Sequence, residues 1–169
     1  MKAMDKEAMK VQYQSFAANM KTLMLSTIDE HGKPFLSYAP FVKYDGKFYI
    51  YISKIANHYR YMEENPAVDV MLIEDESKAT NLFARQRARF VCSALNLGNA
   101  GYDEIFELFA QSFGKSMMDM LRGLDFSLFE LTPSEGRYVA GFGQAYDIDL
   151  TADKFVHVNR DGHTSTNRS

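Results

Sequence analysis

Tyr44-Asp45-Gly46-Lys47-Phe48-Tyr49-Ile50-Tyr51-Ile52-Ser53-Lys54 opens with a hairpin turn and runs straight into a strand. Asp-Gly is among the strongest short hairpin signals, because glycine takes a positive φ at no steric cost. The aromatic and β-branched run behind it suits a pleated surface. Residues 55–64 then read as a short helix that stops at Asn65-Pro66. A proline ring disfavours the helical region for the residue before it. Toward the N-terminus, residues 34–42 form the other arm of the hairpin, and Asp29-Glu30-His31-Gly32 turns it onto a strand over 21–28. Residues 5–20 place Met9, Tyr13, Phe16 and Met20 at helical spacing.

Toward the C-terminus, strands are expected over 68–73 and 88–95, with a helical turn at 77–84 between them. Residues 102–121 carry the longest helical pattern, with Ile105, Leu108, Phe109, Phe113, Met117, Met120 and Leu121 on one face. A strand over 126–131, a turn at Thr132-Pro133-Ser134-Glu135-Gly136, a strand over 137–146 and a tail over 151–169 complete the chain. Six or seven strands at hairpin spacing, with one helix before the last pair, predict a mainly β protein. The expected architecture is a closed antiparallel β-barrel with flanking helices, in a single domain over 1–169.

Composition narrows the function classes. The chain has 169 residues, 46% of them hydrophobic, including thirteen Phe and ten Tyr, enough for a packed core without staples. No apolar run approaches the roughly 20 residues that span a bilayer, and no apolar stretch follows the charged start to suggest a secretory signal. The lone Cys92 excludes an intramolecular disulfide and a multi-cysteine metal site. Its strand-like setting predicts a buried, inert thiol. These features point to the cytoplasm. The net charge of −3 argues against a nucleic-acid partner, which needs a basic face.

Several short motifs occur in order: Ser37-Tyr38-Ala39-Pro40-Phe41, Ile73-Glu74-Asp75-Glu76, Leu82-Phe83-Ala84-Arg85-Gln86-Arg87, Gly141-Phe142-Gly143-Gln144-Ala145-Tyr146, and Phe155-Val156-His157-Val158 followed by Gly162-His163. With the Ile52-Ser53-Lys54 strand end and the helix closing on Asn65-Pro66, they resemble the pyridoxamine-phosphate-oxidase-like split barrel. Within it they are similar to the bacterial heme-utilisation family of HugZ and HutZ proteins. The resemblance runs from about residue 20 to 163 and lapses over 96–104. It implies a homodimer that holds heme near the subunit interface and opens the porphyrin oxidatively. Molecular oxygen and an external electron donor are consumed, and iron and a biliverdin-type product are released.

A heme protein commonly supplies an imidazole as axial ligand. Of the four histidines, His31 lies in a turn, His58 reads as a surface helix residue or a cofactor contact, and His157 as a packed core residue. His163 reads as polar tail from its position alone; the resemblance makes it the proximal iron ligand. A ligating imidazole normally donates its other N–H to a carboxylate or carbonyl. The resemblance gives that place to Asp125, whose alternative is a plain turn after Gly123. Arg85 and Arg87 suit heme propionates, since guanidinium binds carboxylate bidentately, or one of them polarises bound oxygen. Exposed strand-edge charges are the bland alternative. Lys54 and Arg60 are weaker candidates. Gly141 and Gly143 suggest a β-bulge or a close approach of backbone to a ligand.

Two other functions fit the same fold. In an FMN-dependent oxidoreductase, Ser53 and Lys54 would contact the FMN phosphate and the C-terminal histidine would be idle. A non-enzymatic heme carrier or store would use the heme ligands without turnover.

Overall fold

The computed structural model describes residues 3–159. β1 (Thr22–Ile28), β2 (Pro34–Tyr44) and β3 (Lys47–Ser53) form a meander. Its turns rest on Gly32 (φ 74°) and on the consecutive pair Asp45 (φ 50°) and Gly46 (φ 71°). Two successive positive φ values match the right-handed twist of the flanking strands. α1 (Ala3–Asn19) precedes the meander, and α2 (Asn57–Glu64) follows it, ending where extended Asn65 meets Pro66. β4 (Ala67–Ile73) returns beside β1, β5 (Arg87–Gly98) beside β4, and β6 (Phe126–Gly141) beside β5. The first half of β6 then pairs with β3, from Ser53↔Phe126 to Phe48↔Leu131, closing six strands into a barrel in the order β3-β2-β1-β4-β5-β6. β7 (Gln144–Ile148) and β8 (Phe155–His157) extend the sheet from the second half of β6.

The barrel is filled by alternate residues of its strands, as a period of two requires. Leu25, Phe48, Ile50, Val70, Phe90 and Phe129 are all fully buried. Phe48 meets Phe41 and Phe90 edge-on, with centroids 5.5 and 5.3 Å apart. α1 packs Tyr13 and Phe16 against Tyr138. A second cluster lies outside the barrel, where α3 (Asp103–Phe113) and α4 (Lys115–Arg122) cover Tyr49 and Tyr51 of β3. β3 is therefore buried on both faces, which accounts for its uninterrupted apolar run. Cys92 is buried, and burial pushes its thiol up to about 12, so it is inert at neutral pH. Among the described residues no helix is long and apolar enough to cross a membrane.

Three expectations are corrected. Residues 132–136 do not turn; β6 runs through them without a break. Pro133 faces Cys92 at a register shift where β6 carries one extra residue, Ser134, whose hydroxyl donates to the Val91 carbonyl at 3.3 Å. A bulge tolerates proline because one residue there is left unpaired. Gly136 serves close packing rather than a turn: a Cβ would lie 2.7 Å from the Phe90 ring and 2.8 Å from the Ile148 carbonyl oxygen. The reversal comes later, at Gly143 (φ 67°), and divides the expected 137–146 strand between β6 and β7. The long helix over 102–121 is also two helices, broken at Gly114 (φ 98°). Finally, the described residues form eight strands, the eighth lying in the expected tail.

Candidate functional site

The closure of β3 on β6 brings Ser53, Lys54 and Asp125 together. Asp125 directly precedes β6, and Lys54 directly follows β3. The Lys54 N–H donates to the Asp125 carbonyl at 3.0 Å. The Ser53 hydroxyl donates to Asp125 Oδ1 at 2.9 Å and accepts the Ile55 N–H at 3.3 Å. Among the described residues Asp125 Oδ2 has no protein partner, and the carboxylate is exposed. Ile55 (87% exposed) and Leu124 (54%) give it an apolar rim. Lys54 is exposed, whereas Arg60 is engaged with Glu30 at 3.5 Å and lies over the Tyr61 ring.

Arg85 and Arg87 lie at the opposite end of β6. Glu74, just past β4, fixes them: its carbonyl accepts Arg85 Nε at 2.8 Å and its carboxylate accepts the Gln86 N–H at 2.7 Å. Arg87 Nη1 donates to the Arg85 carbonyl at 2.8 Å. The Nη groups of Arg85 have no hydrogen-bonded protein partner among the described residues, and Arg85 lines a hollow of about 500 Å³ with Lys21, Lys78, Glu74, Asp75 and α1. Gly141 and Gly143 flank the β6–β7 turn near this end, with a register shift between Val139 and Gly141. Phe83 (88% exposed) and Phe142 (69%) stand bare on the neighbouring loops.

The structure does not bring the two groups together. Ser53 faces Phe126 and Arg87 faces Val139, which leaves roughly 40 Å of strand between them at about 3.3 Å per residue. Within one chain they are two separate groups. A different feature lies on the outer face of β1 and β2, where Met24, Leu36 and Tyr38 are exposed. Met24, Leu36 and Met71 line a shallow hollow of about 290 Å³. Beside it, Arg89 and Arg137 face each other across β5 and β6. Each is neutralised by a carboxylate, Arg89 by Asp69 and Arg137 by Asp147.

His31 is exposed in its turn. His58 is not the surface residue expected: it is half-buried, its Nδ1 lies 2.8 Å from the Ser37 hydroxyl, and burial depresses its pKa. His157 is half-buried, with Nδ1 2.7 Å from Asn159 Oδ1, Nε2 3.0 Å from the Gly143 carbonyl and its ring edge-on to Tyr146. Both ring nitrogens are thus occupied. His163 lies outside the described residues. Sequence reasoning missed the Ser53–Asp125 contact, whose partners are 72 residues apart and meet only through strand closure. It also missed Glu74 as the anchor of Arg85 and Gln86, although the motif containing it had been singled out.

The sequence model of the pyridoxamine 5'-phosphate oxidase family matches residues 9–140. The chain is 40% identical over 156 residues to the heme oxygenase HutZ of Vibrio cholerae, across 90% of this chain and 88% of the relative. The crystal structure of HutZ from Vibrio cholerae, described as a heme storage protein, matches with a TM-score of 0.70 and 38% identity over 73% of this chain and 89% of that one. Campylobacter jejuni ChuZ matches with a TM-score of 0.82 and 34% identity over 94% of this chain, which spans 65% of the length of ChuZ.

Proposed function

This chain belongs to the pyridoxamine 5'-phosphate oxidase family and within it to the HutZ-type heme proteins, and from that premise we propose that it binds heme at a homodimer interface and degrades it oxidatively for iron release. The observation that carries the interface placement is the division of the candidate residues between the two ends of β6 in a barrel whose β1–β2 face is bare and apolar. A second copy packed on that face brings the Asp125 end of one subunit to the Arg85 end of the other. Such an interface should bury more than roughly 2,000 Å², as obligate dimers do.

The roles follow from the free groups. His163 ligates iron, and Asp125 of the facing subunit accepts the remaining imidazole N–H on Oδ2. That bond fixes the ring's orientation and raises its basicity. The Arg85 Nη groups pair with a propionate, and Arg87 holds the Arg85 backbone in place through its carbonyl. Gly141 and Gly143 keep the β6–β7 turn narrow beside the macrocycle. Lys54 is a secondary anion contact. Heme supplies the oxygen chemistry and is itself the substrate, giving a biliverdin-type product with an external electron donor.

FMN fits this chain less well. The Ser53 hydroxyl is committed to a carboxylate, and a phosphate dianion placed on Ser53 would meet the Asp125 charge. An apolar rim around one carboxylate acceptor suits a flat macrocycle with a histidine ligand instead. Heme storage without turnover remains a second reading, favoured by the description of the HutZ crystal structure. Hemin titration followed by ascorbate in air separates the readings. Loss of the Soret band with iron captured by a ferrous chelator is the expected result. A stable Soret band under reductant means storage, and stoichiometric released FMN means an oxidoreductase.

A further inference from the structure

We propose that Ser53 is a positioning residue for the iron ligand: its hydroxyl sets the direction and acceptor strength of Asp125. The inference rests on the reading that Asp125 accepts the proximal imidazole N–H. Three contacts carry it. The Lys54 N–H holds the Asp125 backbone at 3.0 Å. The Ser53 hydroxyl holds Oδ1 at 2.9 Å. The Ile55 N–H, at 3.3 Å from Ser53 Oγ, occupies a lone pair of that oxygen and leaves its O–H free to donate toward the carboxylate.

The arrangement divides the carboxylate. Oδ1 accepts from Ser53 within the chain, and Oδ2 of this exposed residue has no protein partner among the described residues, which leaves it open to a second subunit. A hydrogen bond donated to one oxygen draws charge from the other, so Ser53 weakens Asp125 as an acceptor while fixing its rotamer. The end of β3 is a built position for this: Ser53↔Phe126 is the last pair of the β3–β6 ladder, so the donor and the acid are both set by the barrel seam. Asp125 thereby becomes a tempered acceptor, and the ligating imidazole keeps a defined, intermediate basicity.

The test compares Ser53→Ala, Ser53→Thr, Asp125→Asn and the Ser53→Ala/Asp125→Asn double variant in the full-length dimer reconstituted with hemin. The readouts are the ferrous iron–histidine stretching frequency, from resonance Raman spectra, and the heme reduction potential. Ser53→Ala should raise the frequency and lower the potential, because the acceptor is released from its donor. Ser53→Thr, which keeps the hydroxyl, should restore both. Asp125→Asn should lower the frequency, and the double variant should match it. An unchanged or lowered frequency in Ser53→Ala, with Asp125→Asn still shifted, overturns the role of Ser53 alone. No shift in Asp125→Asn overturns the underlying reading of Asp125. Far-ultraviolet circular dichroism of each variant shows that the barrel is intact.

Discussion

The two sides of the barrel are finished differently. The β3 side is sealed: Tyr49 and Tyr51 point away from the interior, yet both are buried under α3 and α4, with Phe106 edge-on to Tyr51 at 5.2 Å. The β1–β2 side has the same strand alternation, but among the described residues no helix covers Leu36 and Tyr38, which are 65% and 59% exposed. The difference lies in what the chain itself provides. One wall is completed in cis, and the other has the composition of a surface awaiting a partner, since monomeric proteins rarely leave contiguous apolar patches uncovered.

The largest expected effect is on the sealed wall. Phe106→Ala removes an aromatic ring from the second cluster and should cost about 3–5 kcal/mol in urea unfolding. If it costs less than about 1 kcal/mol, α3 does not seal this wall and the contrast collapses. On the bare wall, the double substitution Leu36→Arg/Tyr38→Arg should leave the secondary structure intact and convert a dimer to a monomer in sedimentation velocity. Hemin affinity should then fall by at least tenfold. A wild-type chain that is monomeric at micromolar concentration would break the comparison from the other side.

The β5–β6 seam is closely packed. Gly136→Ala drives a methyl group into the Phe90 ring and the Ile148 carbonyl and should cost about 1–3 kcal/mol by thermal unfolding. The smallest effect concerns His58, which joins α2 to the inner face of β2 through Ser37. Burial holds its pKa below the ordinary value of about 6.5. The unfolded chain therefore binds a proton that the folded chain refuses, and stability is full above about pH 7. It falls as pH drops through the unfolded value and levels off below the folded one. His58→Gln should remove that slope below about pH 7; an identical slope would mean that another group carries it.

Much of the fold was legible because its signals are local. Asp45-Gly46 and Asn65-Pro66 act on their own backbones, and the structure places the hairpin and the helix stop there. Gly114 was read through because the apolar period continues on both sides of it. Thr132-Pro133-Ser134-Glu135-Gly136 has the composition of a turn, but β5 pairs along it and β7 joins at Gly136, which keeps it extended. Tertiary pairing overrides local preference there. In the candidate site, Asp125 and Arg85 could be picked out by type and motif. Their partners could not, because Ser53 and Glu74 are brought to them by strand pairings distant in sequence.

β6 also works as a measuring rod. It begins beside Asp125 and ends at Gly141, so its length sets how far apart the two half-sites are held. A rod made of pleated chain cannot be lengthened smoothly. One added residue would turn every side chain beyond it to the opposite face, exchanging Phe129 or Tyr138 for a solvent-facing neighbour. Only paired insertions, each worth about 7 Å, or a further bulge like that at Ser134, change the span and keep the core. The gap between the half-sites is thus stepwise adjustable, and members of this fold with differently sized ligands should differ in it by such discrete increments.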